Sequence, residues 1–153
     1  MKNSIAICPG SFDPVTKGHL DIITRSSKMF DKVIVVVMSN AKKINSTSFS
    51  IEERMEMLRR ATADLPNITV DHSEGLLAEY AAEKNASAIV KGLRAVTDFE
   101  YEFQMALANK KLNPSVETVF LTTSAENMYL SSSMVKQIAS MGGDISAFVP
   151  SVI

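Results

Sequence analysis

The feature that most constrains the fold is a set of short apolar runs that do not alternate with polar residues: IAIC at 5–8, VIVVVM at 33–38, AIV at 88–90 and TVFL at 118–121, with a weaker run, ITV, at 68–70. A strand with one wet face alternates; a strand covered on both faces does not. Between these runs the period changes to that of helices. Residues 17–30 place Leu20, Ile23 and Met29 near one face, and residues 51–63 place Ile51, Met55 and Leu58 at i, i+4 and i+7. Ser50 followed by Glu53 forms a capping box that starts the second helix. Residues 76–84, 98–112 and 133–141 read as three more helices, the last stopped by Gly142 and Gly143.

Strand and helix therefore alternate five times. That order predicts an α/β fold: a Rossmann-like, doubly wound, five-stranded parallel sheet with helices on both faces and right-handed crossovers. The 153 residues read as a single domain, 1–153, long enough to bury roughly 70% of the unfolded chain's surface. No internal repeat or low-complexity tract divides it, and NAKKINSTS at 40–48 reads as a mobile loop.

Composition narrows the ligand class. A formal net charge of -1 argues against bulk binding to nucleic acid or to an anionic membrane, so an anionic ligand must be met by locally placed cations. The single cysteine, Cys8, excludes an internal disulfide, and no Cys/His cluster has zinc spacing. No apolar run approaches the ~20 residues of a membrane span, and MKNSIAIC is too polar for a signal peptide. A soluble, cytoplasmic protein is expected.

In open parallel sheets, ligands bind beyond the carboxyl ends of the strands, where strand order reverses. The loops to search are 9–17, 39–49, 71–75, 91–97 and 122–132. The first, within ICPGSFDPVTKGH, is polar yet stiffened by two prolines, and it carries Ser11 and delivers Gly18-His19 to a helix start. The second contains Lys42 and Lys43, the fourth Lys91-Gly92-Leu93-Arg94, and the fifth ends in Ser131-Ser132-Ser133 at another helix start. Cations, hydroxyls and free helix N–H groups converging on one sheet edge outline a polyphosphate site. The G-x-x-x-x-G-K-[ST] and G-x-G-x-x-G loops are absent, as are paired carboxylates and a serine nucleophile elbow. The expected chemistry is electrostatic stabilisation of a charged transition state.

These residues carry a resemblance. ICPGSFDPVTKGHLDII, with Thr16-Lys17-Gly18-His19, resembles the opening of the nucleotidyltransferase superfamily with its [HT]-x-G-H signature. KGLRAVTDFEYEFQMALANKKL and LSSSMVKQIA are similar, more narrowly, to the bacterial phosphopantetheine adenylyltransferases. The resemblance runs from Ile5 to about Pro150. It implies that ATP and 4'-phosphopantetheine are the substrates: the phosphate of one attacks the α-phosphorus of the other, giving 3'-dephospho-coenzyme A and pyrophosphate. An ionised phosphate is already a nucleophile, so no general base is needed. Mg2+ is expected to arrive with the triphosphate.

Laid on matching positions, the resemblance implies that Ser11 contacts both substrates, that Phe12 backs the nucleotide and that His19 stabilises the α-phosphoryl transition state. Lys42, or its neighbour Lys43, would reach the phosphates, and Leu77 would line the pantetheine arm. Gly92, Leu93, Arg94 and Glu102 would contact ATP, together with the last nucleotide loop, Asn127, Met128, Tyr129, Leu130, Ser131, Ser132 and Ser133. Lys91 stands where relatives commonly have arginine and would hold the phosphopantetheine phosphate, keeping the charge without the two-pronged fork. A homohexamer is implied as well.

Other residues have simpler readings. Cys8 is expected to be a small buried filler and His72 a loop residue, and the serine run could serve as an N-cap alone. Phe99, Tyr101 and Phe103 do not all fit one helical face, which suggests that another subunit covers part of 98–112. Two rivals remain at this point: a different superfamily activity, such as a cytidylyltransferase or a nicotinate mononucleotide adenylyltransferase, and a nucleotide-binding module without turnover.

Overall fold

The computed structural model describes residues 4–39, 48–94 and 96–153. Five parallel strands form one sheet in the order β3-β2-β1-β4-β5. They are β1 (Ile5–Gly10), β2 (Lys32–Met38), β3 (Ile68–Ser73), β4 (Ala88–Leu93) and β5 (Glu117–Thr122), alternating with α1 (Lys17–Met29), α2 (Ile51–Ala61), α3 (Leu77–Glu83) and α4 (Val96–Leu112) and followed by α5 (Ser132–Ser140). Strand order reverses between β1 and β4, the position at which the alternation predicts a ligand cleft.

The central strands explain the apolar runs. Val33, Val35 and Val37 of β2 face a core with Ile22 and Ile23 of α1 and Leu58 of α2. Ile34 and Val36 face the opposite core, with Tyr80 and Ala81 of α3. Both faces are covered, so neither strand face carries polar residues. Ser50 Oγ accepts from the Glu53 N–H at 3.1 Å while the Glu53 carboxylate accepts from the Ser50 N–H at 3.0 Å, completing the expected capping box. Gly142, at φ +79°, ends α5: its N–H donates to Ala139 O and that of Gly143 to Ile138 O, a Schellman arrangement.

Several details differ from the periodicity. α1 buries Ile22, Ile23 and Ser26, whereas Met29, expected on the inner face, is 52% exposed. The helix phase follows the groove above β4, where Gly92 has no side chain: a Cβ there would lie 2.8 Å from Ile22 Cγ1. On α2, Arg54 and Leu58 are buried, while Ile51 and Met55 are only partly so. Strands run further than their apolar runs. β3 continues to Ser73, pairing His72 with Val37, so His72 is an exposed residue of an edge strand and not of a loop. β1 includes Pro9 and Gly10, and Lys91-Gly92-Leu93 end β4 and do not follow it. In each case backbone pairing to a neighbouring strand extends the element past the residues that bury it.

Candidate active site

A cleft of about 340 Å³ opens at the carboxyl ends of β1 and β4, lined by Gly10, Ser11, Phe12, Gly18, His19, Lys91, Gly92, Arg94, Glu102, Asn127, Leu130 and Ser131 to Ser133, among others. Residues from four separated segments that the sequence analysis singled out thus come together.

His19 sits in the first turn of α1, and its orientation is set locally. Thr16 caps the helix, its Oγ1 accepting from the His19 N–H at 3.3 Å, and the Thr16 N–H donates to His19 Nδ1 at 2.9 Å. This is a capping box in which histidine takes the place of glutamate or glutamine. An Nδ1 that accepts a hydrogen bond carries no hydrogen of its own, so a neutral ring carries its hydrogen on Nε2. Burial holds the ring neutral, lowering its pKa to about 4, and the nearby Arg94 and Lys91 charges add to the effect. The ring meets Phe12 edge-on, with centroids 5.0 Å apart. At neutral pH His19 is therefore an uncharged N–H donor held in one tautomer.

That depressed pKa links to stability. Between the folded value near 4 and the ordinary 6.5, the unfolded chain binds the proton and the folded chain does not, so stability falls as pH drops through that window. Full expression would correspond to about 3 kcal/mol, and partial exposure of the ring reduces it to about 1–2 kcal/mol. Proton NMR titration of the ligand-free protein is expected to show His19 charging only near pH 4, and denaturant melts at pH 7 and pH 5 should show the acid loss. A His19 midpoint at or above 6 would overturn both.

β4 and the turn just after it bring the cations, and α4 brings their carboxylate partners. Lys91 Nζ lies 3.3 Å from Glu102 Oε2. Arg94 is fixed on two sides, its Nε donating to Asp98 Oδ2 at 3.2 Å and its Nη1 to the Leu130 carbonyl at 2.7 Å. Leu130 contributes to the site through that carbonyl, since its side chain is buried. Ser131 is the N-cap of α5, accepting from the Met134 N–H at 3.1 Å, and Ser132 Oγ donates to the Pro14 carbonyl at 2.8 Å. Of the serine run, two hydroxyls serve the scaffold; Ser133 is exposed at the cleft.

Other expected positions lie elsewhere. Leu77 packs against the Ile7, Ile34 and Val36 core on the far sheet face. Leu93, Met128 and Tyr129 do not line the cleft; Tyr129 instead meets Phe148 edge-on, 6.2 Å between centroids. Lys42 and Lys43 fall outside the described residues. Cys8, at the end of the β1 core, matches the filler reading: burial pushes its thiol up to about 11.

The residues missed by sequence reasoning are those that hold the first loop. Asp13, 2% exposed, accepts from the N–H groups of Ser48 and Phe49 at 2.9 and 3.0 Å and from Lys136 Nζ at 3.1 Å. Arg54 Nη1 donates to the Ser11 carbonyl at 2.9 Å. Ser124 Oγ donates to Asp21 Oδ2 at 2.8 Å, and Arg25 Nη1 to the Thr122 carbonyl at 2.9 Å, fastening the loop after β5 to α1. An aspartate before proline reads locally as a turn former; its partners are 35 to 123 residues away. Among the described residues, no group of three or more His, Cys, Asp or Glu side chains comes together as a metal site, and no helix is long and apolar enough to cross a membrane.

Comparison with known proteins places this geometry. A family model described as cytidylyltransferase-like matches residues 7–138. A phosphopantetheine adenylyltransferase of Caldanaerobacter subterraneus subsp. tengcongensis is 62% identical over 149 residues, covering 97% of this chain and 92% of that protein. One from Clostridium tetani is 54% identical over 150 residues, covering 98% and 92%. Among solved structures, a bifunctional NMN adenylyltransferase/ADP ribose pyrophosphatase from Francisella tularensis superposes with a TM-score of 0.68 at 19% identity, over 96% of this chain and 45% of that one. A lipopolysaccharide core biosynthesis protein from Thermoplasma volcanium gives 0.61 at 20% identity, over 79% and 98%. These two share the fold. The near-full-length identity, together with the T-K-G-H histidine at the β1–β4 switch point, means that the chain belongs to the cytidylyltransferase-like family, among its phosphopantetheine adenylyltransferases.

Proposed function

We infer that the chain, acting as one domain, transfers the adenylyl group of ATP to 4'-phosphopantetheine, giving 3'-dephospho-coenzyme A and pyrophosphate in coenzyme A biosynthesis. The observation that carries this reading is the pairing of 54–62% identity to phosphopantetheine adenylyltransferases with a cleft that presents a neutral histidine donor beside Lys91 and Arg94. Attack by an ionised phosphate needs alignment and charge neutralisation, not proton abstraction.

The residues then divide as follows. His19 donates its Nε2–H to an α-phosphoryl oxygen as charge develops there. Arg94, braced by Asp98 and the Leu130 carbonyl, faces the polyphosphate, with Gly18 and the α5 start supplying backbone N–H groups. Ser11 borders both substrates and Phe12 backs the nucleotide, and Lys42 or Lys43 reaches the phosphates from its loop. Glu102 and Asp98 are each paired with a cation, so the donor set suits a magnesium ion held by ATP phosphates and water, entering as MgATP.

Lys91 holds the acceptor phosphate. Lys91→Arg restores a fork that can engage both Glu102 and phosphate, and is expected to lower KM for 4'-phosphopantetheine by about threefold or more with little change in kcat. Steady-state pyrophosphate release, run in parallel with nicotinate mononucleotide as a rival acceptor, measures this. Release with the rival alone would overturn the substrate, and an unchanged or raised KM would overturn the role of Lys91.

The chain works in the cytoplasm as a homohexamer. Supporting this assembly, α4 leaves Tyr101 62% and Leu107 59% exposed beside Phe103, which stacks on Phe99 at 5.5 Å. Light scattering at micromolar concentration should report a multiple of the chain mass. A monomer would overturn it.

A further inference from the structure

We propose that Arg54 is a positioning residue for adenylyl transfer, holding the Ser11–Phe12 peptide so that its N–H faces the cleft as a phosphate donor. Arg54 lies on α2, does not line the cleft and is 3% exposed. Its Nη1 donates to the Ser11 carbonyl at 2.9 Å and its Nε to the Ser50 carbonyl at 3.3 Å. Among the described residues no carboxylate lies within ion-pair distance of it. A buried guanidinium with neutral partners alone is a poor device for stability, since its desolvation is not repaid by an opposite charge. Its charge finds a complement when a polyanion occupies the cleft beside Ser11.

The peptide geometry says what that charge does. The Ser11–Phe12 bond is trans, so its carbonyl and N–H point in opposite directions. Arg54 draws the carbonyl toward α2, so the N–H points the opposite way, away from α2, in a stretch where both Ser11 and Phe12 line the cleft. Among the described residues that N–H meets no acceptor. Phe12 also has φ +47°, a left-handed conformation that a bulky residue adopts only when its surroundings impose it. A flip of this peptide would relax the strain, turn the donor away and break the Arg54 bond. Arg54 is thus the contact that opposes the flip, and by polarising the carbonyl it strengthens the N–H as a donor.

The proposal rests on the adenylyl-transfer reading, and the activity of the parent chain separates the two. Arg54→Met and Arg54→Lys are compared with the parent for pyrophosphate release from MgATP and 4'-phosphopantetheine, for thermal midpoint, and for the Phe12 amide resonance of 15N-labelled protein with and without a non-hydrolysable ATP analogue. Expected is a kcat at least about tenfold lower in Arg54→Met, with KM for 4'-phosphopantetheine within about twofold, and an intermediate loss in Arg54→Lys, which keeps one donor. The Phe12 amide should shift with the analogue in the parent and not in Arg54→Met. A kcat near the parent's, a loss confined to KM, an unmoved Phe12 amide in the parent, or melting of both variants below assay temperature would each overturn the proposal. An inactive parent would overturn the adenylyl-transfer reading with it.

Discussion

Replacing His19 by alanine is expected to slow pyrophosphate release at least about 10²-fold while ATP still binds, the effect of removing one donor aimed at developing charge. The side chain does two jobs that must be separated. Its Nδ1 accepts from the Thr16 N–H and so helps cap α1; its Nε2 carries the hydrogen of a ring that lines the cleft. Alanine removes both, and loss of the cap alone would cost about 1 kcal/mol of stability without touching chemistry. His19→Gln separates them, because glutamine at this position can still close a capping box. Both variants should therefore lose rate alike, with the glutamine variant closer to the parent in melting temperature. Pyrophosphate release and calorimetric ATP titration are the measurements. If His19→Gln recovered the parent rate, the histidine would be a cap and nothing more.

The second large effect falls on stability. Asp13→Ala should destabilise the fold by about 3 kcal/mol, because it leaves the Ser48 and Phe49 N–H groups without an acceptor and the Lys136 ammonium without its counter-charge. Lys136 retains some exposure and can turn to water, which keeps the cost below that of a fully buried broken pair. In urea the midpoint should fall by about 1–2 M with the slope unchanged. Lys136→Met removes the other partner and leaves Asp13 two backbone donors, so its cost should be smaller. Equal and small effects in both variants would show that the junction is not a stability element.

Much of this could be anticipated from local pattern. The valine run of β2, the Ser50–Glu53 capping box and the Gly142 stop are decided by neighbours within about four residues, where periodicity and capping chemistry act. The parallel sheet with its switch point follows from the alternation of such elements, and T-K-G-H marks His19 in the same local way. Two kinds of feature were not legible. Element ends depend on partners in another strand: Lys91 and Gly92 join β4 because Phe120 and Leu121 of β5 pair with them. Helix phase depends on the surface beneath, so Ile22, and not Met29, turns inward over Gly92.

The sequence by itself determined the elements, their order and many of the residues that line the candidate cleft, because those rest on period, caps and residue type. Tertiary structure alone decided how those residues are held. Arg54 reaches Ser11 across 43 positions, Lys136 reaches Asp13 across 123, and Arg94 reaches the Leu130 carbonyl across 36. No local pattern encodes such pairs, since a buried charge reads in sequence as an ordinary polar residue until the fold removes water from around it.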